Sequence, residues 1–197
     1  MMKKLLAMLL VLTMALCLFA CGGEETETPD NNNKENVGGE ENNDGGNAEV
    51  KGETYSTGNF SALVPEGWKA FPVADIWSDD ADAKDPDALQ IVKGGETDWD
   101  LFTKPYIKFD YYGPSESMMT PSSEWYDNAT DLEPITAGKY TWNGFSATSM
   151  DVPMIILWAE DGDYQYQATI WTDQGDGTIS VTDADVLAIL ASVAPAA

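Results

Sequence analysis

The sequence of 197 residues predicts an α+β domain, an antiparallel sheet flanked by helices, and three observations carry that expectation. Residues 106–111 alternate strictly, with Ile107, Phe109 and Tyr111 on one side, as a half-buried strand does. Two stretches pair strand-forming runs across turn-forming residues. The chain closes on an apolar stripe of helical period behind a cap.

In chain order, residues 59–64 alternate and then run apolar, and Pro65 closes the strand. Pro65, Glu66 and Gly67 make a turn that places Trp68 beneath the sheet. Asp79, Asp80, Asp82, Asp85 and Asp87 crowd a loop, residues 89–92 read as a short strand, and Gly94-Gly95 as a turn. Thr120-Pro121 reads as a helix start, with Thr120 as cap and Pro121 at the first helical position, where its missing N–H is harmless. Residues 139–142, Asn143-Gly144 and residues 145–148 read as a hairpin, because a type I′ turn needs positive φ at both central residues. Residues 154–159 and 164–172 form a second hairpin across residues 160–163. The last helix starts near Asp183, capped by Thr182, with Asp183 and Asp185 in its first turn and Val186, Leu190 and Val193 as its buried stripe.

An address precedes the domain. Lys3 and Lys4 follow Met1 and Met2, and residues 5–19 are apolar apart from Thr13, short of the ~20 residues a spanning helix needs. Leu18-Phe19-Ala20-Cys21 then resembles the lipobox, Leu-x-Ala-Cys, that ends a bacterial lipoprotein signal peptide. The resemblance implies cleavage before Cys21, a diacylglyceryl group on its thiol, and a mature protein held by lipid in the bacterial cell envelope, facing outside the cytoplasm. The plainer alternative is an ordinary secretory signal, cut elsewhere, with an incidental cysteine. The organisation is therefore a leader over residues 1–20, the lipidated Cys21 with an acidic linker over residues 21–52, and one domain over residues 53–197. The linker holds nine acids against Lys34 and Lys51 and few apolar side chains, so it is read as a disordered spacer, ~30 Å across or more extended by self-repulsion.

A second resemblance lies in the domain. Phe60-Ser61-Ala62-Leu63-Val64-Pro65-Glu66-Gly67-Trp68, and Asp185-Val186-Leu187-Ala188-Ile189-Leu190-Ala191-Ser192-Val193, look like the two ends of PsbP-like domains. In outline it spans residues 57–194, and it rests on these two stretches. It implies an α/β/α sandwich, binding or assembly roles, and no shared catalytic residues.

Composition narrows function by exclusion. Ten Lys, no Arg and no His stand against 34 acids, a net charge of −24. Nucleic acid is excluded, since binding it rests on basic side chains neutralising phosphates. Peripheral adhesion to anionic lipid is disfavoured, which leaves acyl chains as the membrane attachment. Cys17 lies in the leader and Cys21 is the lipid site, so the domain has no disulfide, and without His, Arg or Cys it has no Ser-His-Asp triad, thiol nucleophile or zinc site of imidazole or thiolate. Paired carboxylates, as in a glycoside hydrolase, remain as the enzymatic alternative, with no catalytic residue singled out.

Two local patterns are candidate sites. Residues 172–183 resemble the calcium loop of dockerin-type and EF-hand modules, with Asp173, Asp176 and Asp183 as candidate metal ligands. Thr172 and Gln174 depart from that pattern, and a strand, a tight glycine turn and a capped helix explain the same residues without Ca²⁺. The second pattern is aromatic. Gln165, Gln167, Thr169 and Trp171 share one face of a strand, and Trp158 is placed near Trp171 on the same hairpin. Such a face suits stacking on a sugar or gripping a peptide, so Trp158, Gln165, Gln167 and Trp171 are the candidate ligand-binding residues. The expected function is a cell-surface lipoprotein acting as a non-catalytic ligand-binding or assembly module. Its expected partners are a carbohydrate, a peptide or an envelope protein, with no resident cofactor, and calcium-dependent binding is the first alternative.

Overall fold

The computed structural model describes residues 50–196; the leader, Cys21 and all but the end of the linker lie outside the described residues. Three short strands, β1 (Gly52–Ser56), β2 (Phe60–Pro65) and β13 (Ala194–Pro195), form a small antiparallel sheet in the order β1-β2-β13. Gly52, read as the end of the linker, is the first residue of β1.

A large sheet carries the fold. Its strands are β3 (Trp68–Ala74), β4 (Lys84–Lys93), β5 (Tyr106–Tyr112), β6 (Asp127–Asp131), β7 (Ile135–Ala137), β8 (Tyr140–Ser149), β9 (Val152–Asp161) and β10 (Tyr164–Trp171). They pair antiparallel in the order β3-β4-β5-β10-β9-β8-β6, and β7 also pairs with β8. A two-stranded ribbon follows, β11 (Asp173–Gln174) with β12 (Gly177–Thr178), and then the single α-helix of the described residues, α1 (Ala184–Ser192).

One face of the large sheet is covered by β2 and α1. Leu89, Ile91, Ile107, Phe109, Leu157, Ala168 and Ile170 point into that layer and meet Phe60 and Ala62 of β2 and Val186, Ile189 and Leu190 of α1. Full burial of each large aliphatic side chain contributes about 1.5–3 kcal/mol, which holds a nine-residue helix too short to persist alone. Aromatic rings bind the layers further: Phe60 stacks on Tyr111 at 5.6 Å, and Tyr140 meets Tyr166 edge-on at 5.5 Å. Hydrogen bonds pin both ends of α1. The Trp68 indole donates to Asp185 at 3.1 Å, the Leu63 N–H donates to the Ser192 hydroxyl at 2.7 Å, and the Tyr140 hydroxyl donates to the Val193 carbonyl at 2.6 Å.

The architecture corrects the expected fold class. The described residues are mostly β, and among them the α/β/α sandwich, with helices on both faces of the sheet, is not formed. The helix read from Thr120 is the missing piece. Ser122, not Thr120, caps only a 3-10 turn at Ser123–Trp125, after which the chain becomes edge strand β6 on β8. Tyr126 packs on Phe145 at 5.5 Å, so contact with the sheet outweighs a local capping signal.

The Asn143-Gly144 hairpin is corrected as well: β8 runs straight through both residues. A Cβ on Gly144 would lie 2.1 Å from the Ile156 carbonyl oxygen, so this glycine permits close approach of β9 and makes no turn. The turns fall on either side. Gly138 (φ 57°) opens β7–β8, and Met150 and Asp151 (φ 49° and 64°) close β8–β9 in the doubly positive form of a type I′ turn. The strand read at residues 89–92 extends back to Lys84, which takes Asp85 and Asp87 out of the loop. Asp183 replaces Thr182 as the N-cap of α1.

Candidate functional site

Alternation along β10 buries Tyr166, Ala168 and Ile170 and sends Gln165, Gln167, Thr169 and Trp171, all half-buried, to the opposite face of the large sheet, where Tyr126 and Ala129 cover a smaller apolar cluster. Register with β9 and β5 fixes their neighbours. Gln165 lies between Glu160 and Tyr112, Gln167 between Trp158 and Asp110, Thr169 between Ile156 and Lys108, and Trp171 between Met154 and Tyr106. The four candidate ligand-binding residues thus share one partly exposed face. Trp158 and Trp171 do not touch, however. Four residues of register separate them, about 14 Å along the strands, so each forms its own platform.

Each platform is held by a second ring. Trp171 stacks on Tyr106 at 6.0 Å and 26°, and Trp158 meets Phe145 at 6.3 Å. Between the platforms β5 and β10 contribute polar side chains, while Met154 and Ile156 of β9 are buried with Phe145 and Ala147 in a second apolar cluster against which both tryptophans pack. Lys108 pairs with Asp110 at 2.5 Å, and Gln165 is fixed by donating to Glu160 (3.0 Å) and accepting from the Met118 N–H (2.9 Å). Gln167 and Thr169 make no side-chain hydrogen bond among the described residues, so their amide and hydroxyl groups are free to meet a ligand.

The two ends of this face differ. Beyond Trp171 and Tyr106 is an apolar groove of about 290 Å³ against Leu101, Phe102, Met150 and Val152. Gln174 closes it, donating to the Leu101 carbonyl at 3.3 Å while its own carbonyl oxygen is buried without a partner. At the other end is an acidic cleft of about 470 Å³, where Asp75, Asp85, Asp87, Asp110 and Glu116 surround Tyr112 and the exposed Trp77. Burial raises the Asp87 carboxyl above its ordinary value, the nearby Glu116 and Asp85 raise it further, and a hydrogen bond from Asn59 opposes them.

Sequence reading reached the β10 residues and missed the β5 contribution. Tyr106, Lys108 and Asp110 alternate with the core residues Ile107 and Phe109, and that alternation is the signal by which they could have been found. The joining of Asp85 and Asp87 with Asp110 and Glu116 comes from β4–β5 pairing and has no local signal.

The residues of the calcium-loop pattern are distributed otherwise than that pattern requires. Asp173 is exposed on β11, Asp176 is exposed in the β11–β12 turn, and Asp183 caps α1 while accepting from the Ser180 N–H at 3.0 Å. The positive φ belongs to Gly175, whose Cβ would fall 2.3 Å from the Thr103 carbonyl oxygen; the turn is shaped by packing on that segment. Among the described residues no three His, Cys, Asp or Glu side chains are grouped to hold an ion. Cys21 lies outside the described residues.

No family model matches the chain, and no curated protein matches it. A crystal structure from Bacteroides thetaiotaomicron VPI-5482 aligns at 8% identity with a TM-score of 0.42, covering 74% of this chain and 49% of that one. The chain spans about half the length of that neighbour, and so slight a likeness carries no functional reading.

Proposed function

We propose that the protein is a lipid-anchored lipoprotein of the bacterial cell envelope whose folded domain is a non-catalytic binding module, and that it binds on the open face of the large sheet. One observation supports this reading above the others: two ring-backed tryptophans, Trp158 and Trp171, flank a strip where Gln167 and Thr169 make no side-chain hydrogen bond among the described residues. Aromatic platforms bury apolar area at little entropic cost, and fixed polar groups between them select orientation. An oligosaccharide or an extended peptide has the length and the mixed polarity for such a strip.

The test is a panel of soluble oligosaccharides and peptides followed by intrinsic tryptophan fluorescence, with Trp158→Ala and Trp171→Ala compared against Trp77→Ala at the acidic end. Ligands that perturb the wild-type emission should bind at least tenfold more weakly to the first two variants. If no ligand binds, or the three variants bind alike, the open face is not the site. Mass spectrometry of the mature chain tests the anchor separately, since it should find an acylated Cys21 at the amino terminus.

A second reading has its own support. Asp87, its carboxyl raised by burial and facing other carboxylates across the cleft, is shifted in the direction that the general acid of a carboxylate-pair glycoside hydrolase needs. Turnover of chromogenic glycosides, abolished in Asp87→Asn, would establish it. No turnover across the panel would remove it.

A further inference from the structure

The point where the chain enters the domain lies at the same end as three exposed large apolar side chains, Trp99, Phe102 and Met150, whereas Trp77 stands exposed in the acidic cleft at the other end. The Lys51 carbonyl accepts from the Glu66 N–H at 2.9 Å, and the Gly67 carbonyl accepts from the Gly94 N–H at 2.7 Å. Residues 50–52, the β2–β3 turn and the start of the β4–β5 connection therefore share one end of the fold. That connection carries a 3-10 turn, Asp98–Phe102, which no sequence signal for a helix or strand had marked. Asp100 holds it, accepting from the Glu96 and Thr97 N–H groups at 2.7 and 2.8 Å and pairing with Lys104 at 3.2 Å.

The turn presents Trp99 and Phe102 outward as a pair, their rings 5.6 Å apart, 70% and 69% exposed. Met150, 89% exposed at the β8–β9 turn, lines the same apolar groove as Phe102. Three large apolar side chains held in water by ordered backbone make a contact surface in need of an occupant.

We infer that this end of the domain rests on the lipid surface that anchors Cys21, with Trp99, Phe102 and Met150 at headgroup depth. The inference depends on the lipoprotein reading above. Two facts select lipid as the occupant. The described chain begins at this same end, and a linker of about 30 residues, if it is the coil its composition predicts, spans ~30 Å, which lets the anchored domain reach the surface at high effective concentration. The side chains are also of the interfacial kind, Trp above all, beside Lys51, Lys93 and Lys104, whose stems can lie along apolar surface. The acidic cleft is at the opposite end of the sheet, directed away from the bilayer. Glu96, Asp98 and Asp100 lie near the contact, so the fitting surface is zwitterionic and not anionic.

The experiment uses the full lipidated chain in phosphatidylcholine vesicles, with half the lipid brominated on its acyl chains. Bromine should quench the wild-type emission; Trp99→Phe, which keeps the apolar contact and removes the reporter, should lose at least half of that quenching. Trp77→Phe should keep all of it. Protein that is anchored but unquenched, or equal losses in both variants, overturns the lipid contact and leaves the anchor standing. Protein that fails to associate with vesicles overturns both. Emission that shifts with the surface density of protein yet ignores bromine assigns the patch to a second copy of the chain, and that also overturns the inference.

Discussion

Replacing Gly144 by alanine adds one methyl group in the middle of the β8–β9 ladder, and the structure sets the size of the effect. An ideal Cβ there falls 2.1 Å from the Ile156 carbonyl oxygen and 2.6 Å from Leu157 Cδ2. Carbon and oxygen approach comfortably only to about 3.3 Å, so β9 must retreat by roughly 1 Å across a spacing of about 4.8 Å. Overpacking of this kind costs about 1–3 kcal/mol, and the upper end applies because the obstacle is backbone. For a domain this size that lowers the melting temperature by up to ~10 °C. Alanine alone does not separate a strand from a turn, since a left-handed turn position also resists it by about 1–2 kcal/mol. Gly144→Asn separates them. Asparagine is accepted at the second position of a type I′ turn, but in a strand its larger side chain meets the same carbonyl. Urea unfolding of both variants should therefore show Asn at least as damaging as Ala. An Asn variant within about 0.5 kcal/mol of wild type would refute the continuous strand.

Other perturbations test other parts of the structure. Asp151→Gly at the β8–β9 turn relieves a positive φ of 64°, and relief of about 1–2 kcal/mol less ~0.5–1 kcal/mol of added chain entropy should raise the melting temperature by roughly 2 °C; a fall would show that the Asp151 side chain stabilises the turn. Asp87 binds its proton more tightly folded than unfolded, so its effect on stability is most favourable below pH 3.8 and declines as pH rises through the raised value. Asp87→Asn keeps an acceptor for Asn59, should melt above wild type at pH 7, and should lose that advantage near pH 3; a lower melting temperature at pH 7 would contradict the burial described. Asp100 runs the other way. Bonds from the Thr97 and Glu96 N–H groups hold it at about 2, so its contribution is complete above its ordinary value of 3.8 and is lost as pH falls through about 2. Emission from Trp99 should change over that interval in wild type and not in Asp100→Asn.

What could be read from the sequence divides by the range of the signal. Period-2 alternation placed Ile107, Phe109 and Tyr111 inside, and the pairing across Gly162 was legible because its turn residues lie between two long apolar runs. The stripe of α1 was legible too, with Val186, Leu190 and Val193 all buried. The failures occurred where a local signal met a nonlocal contact. Thr120-Pro121 offered a helix cap, but the following residues include Trp125, Tyr126 and Thr130, which suit a strand, and the segment gains more by pairing with β8 than by closing helical turns. Asn143-Gly144 carried strong turn chemistry, yet the glycine answers to a strand neighbour twelve residues away in sequence, Ile156, whose carbonyl occupies the space of its missing side chain.

The open face follows from the same division. A strand that is polar on one side states that this side is not core, so Gln165, Gln167 and Thr169 were assigned to a surface without knowledge of the fold. Alternation says nothing about whether a helix lies over that surface, because a covering helix would be specified by its own sequence elsewhere. The only described α-helix is committed to the other face through Val186, Ile189 and Leu190, and the segment after Thr120 that was expected to supply another becomes a 3-10 turn and strand β6. Among the described residues no α-helix therefore lies over the face that carries Trp158 and Trp171; Tyr126 and Ala129 cover only its Phe145 side, and this leaves both tryptophans partly exposed.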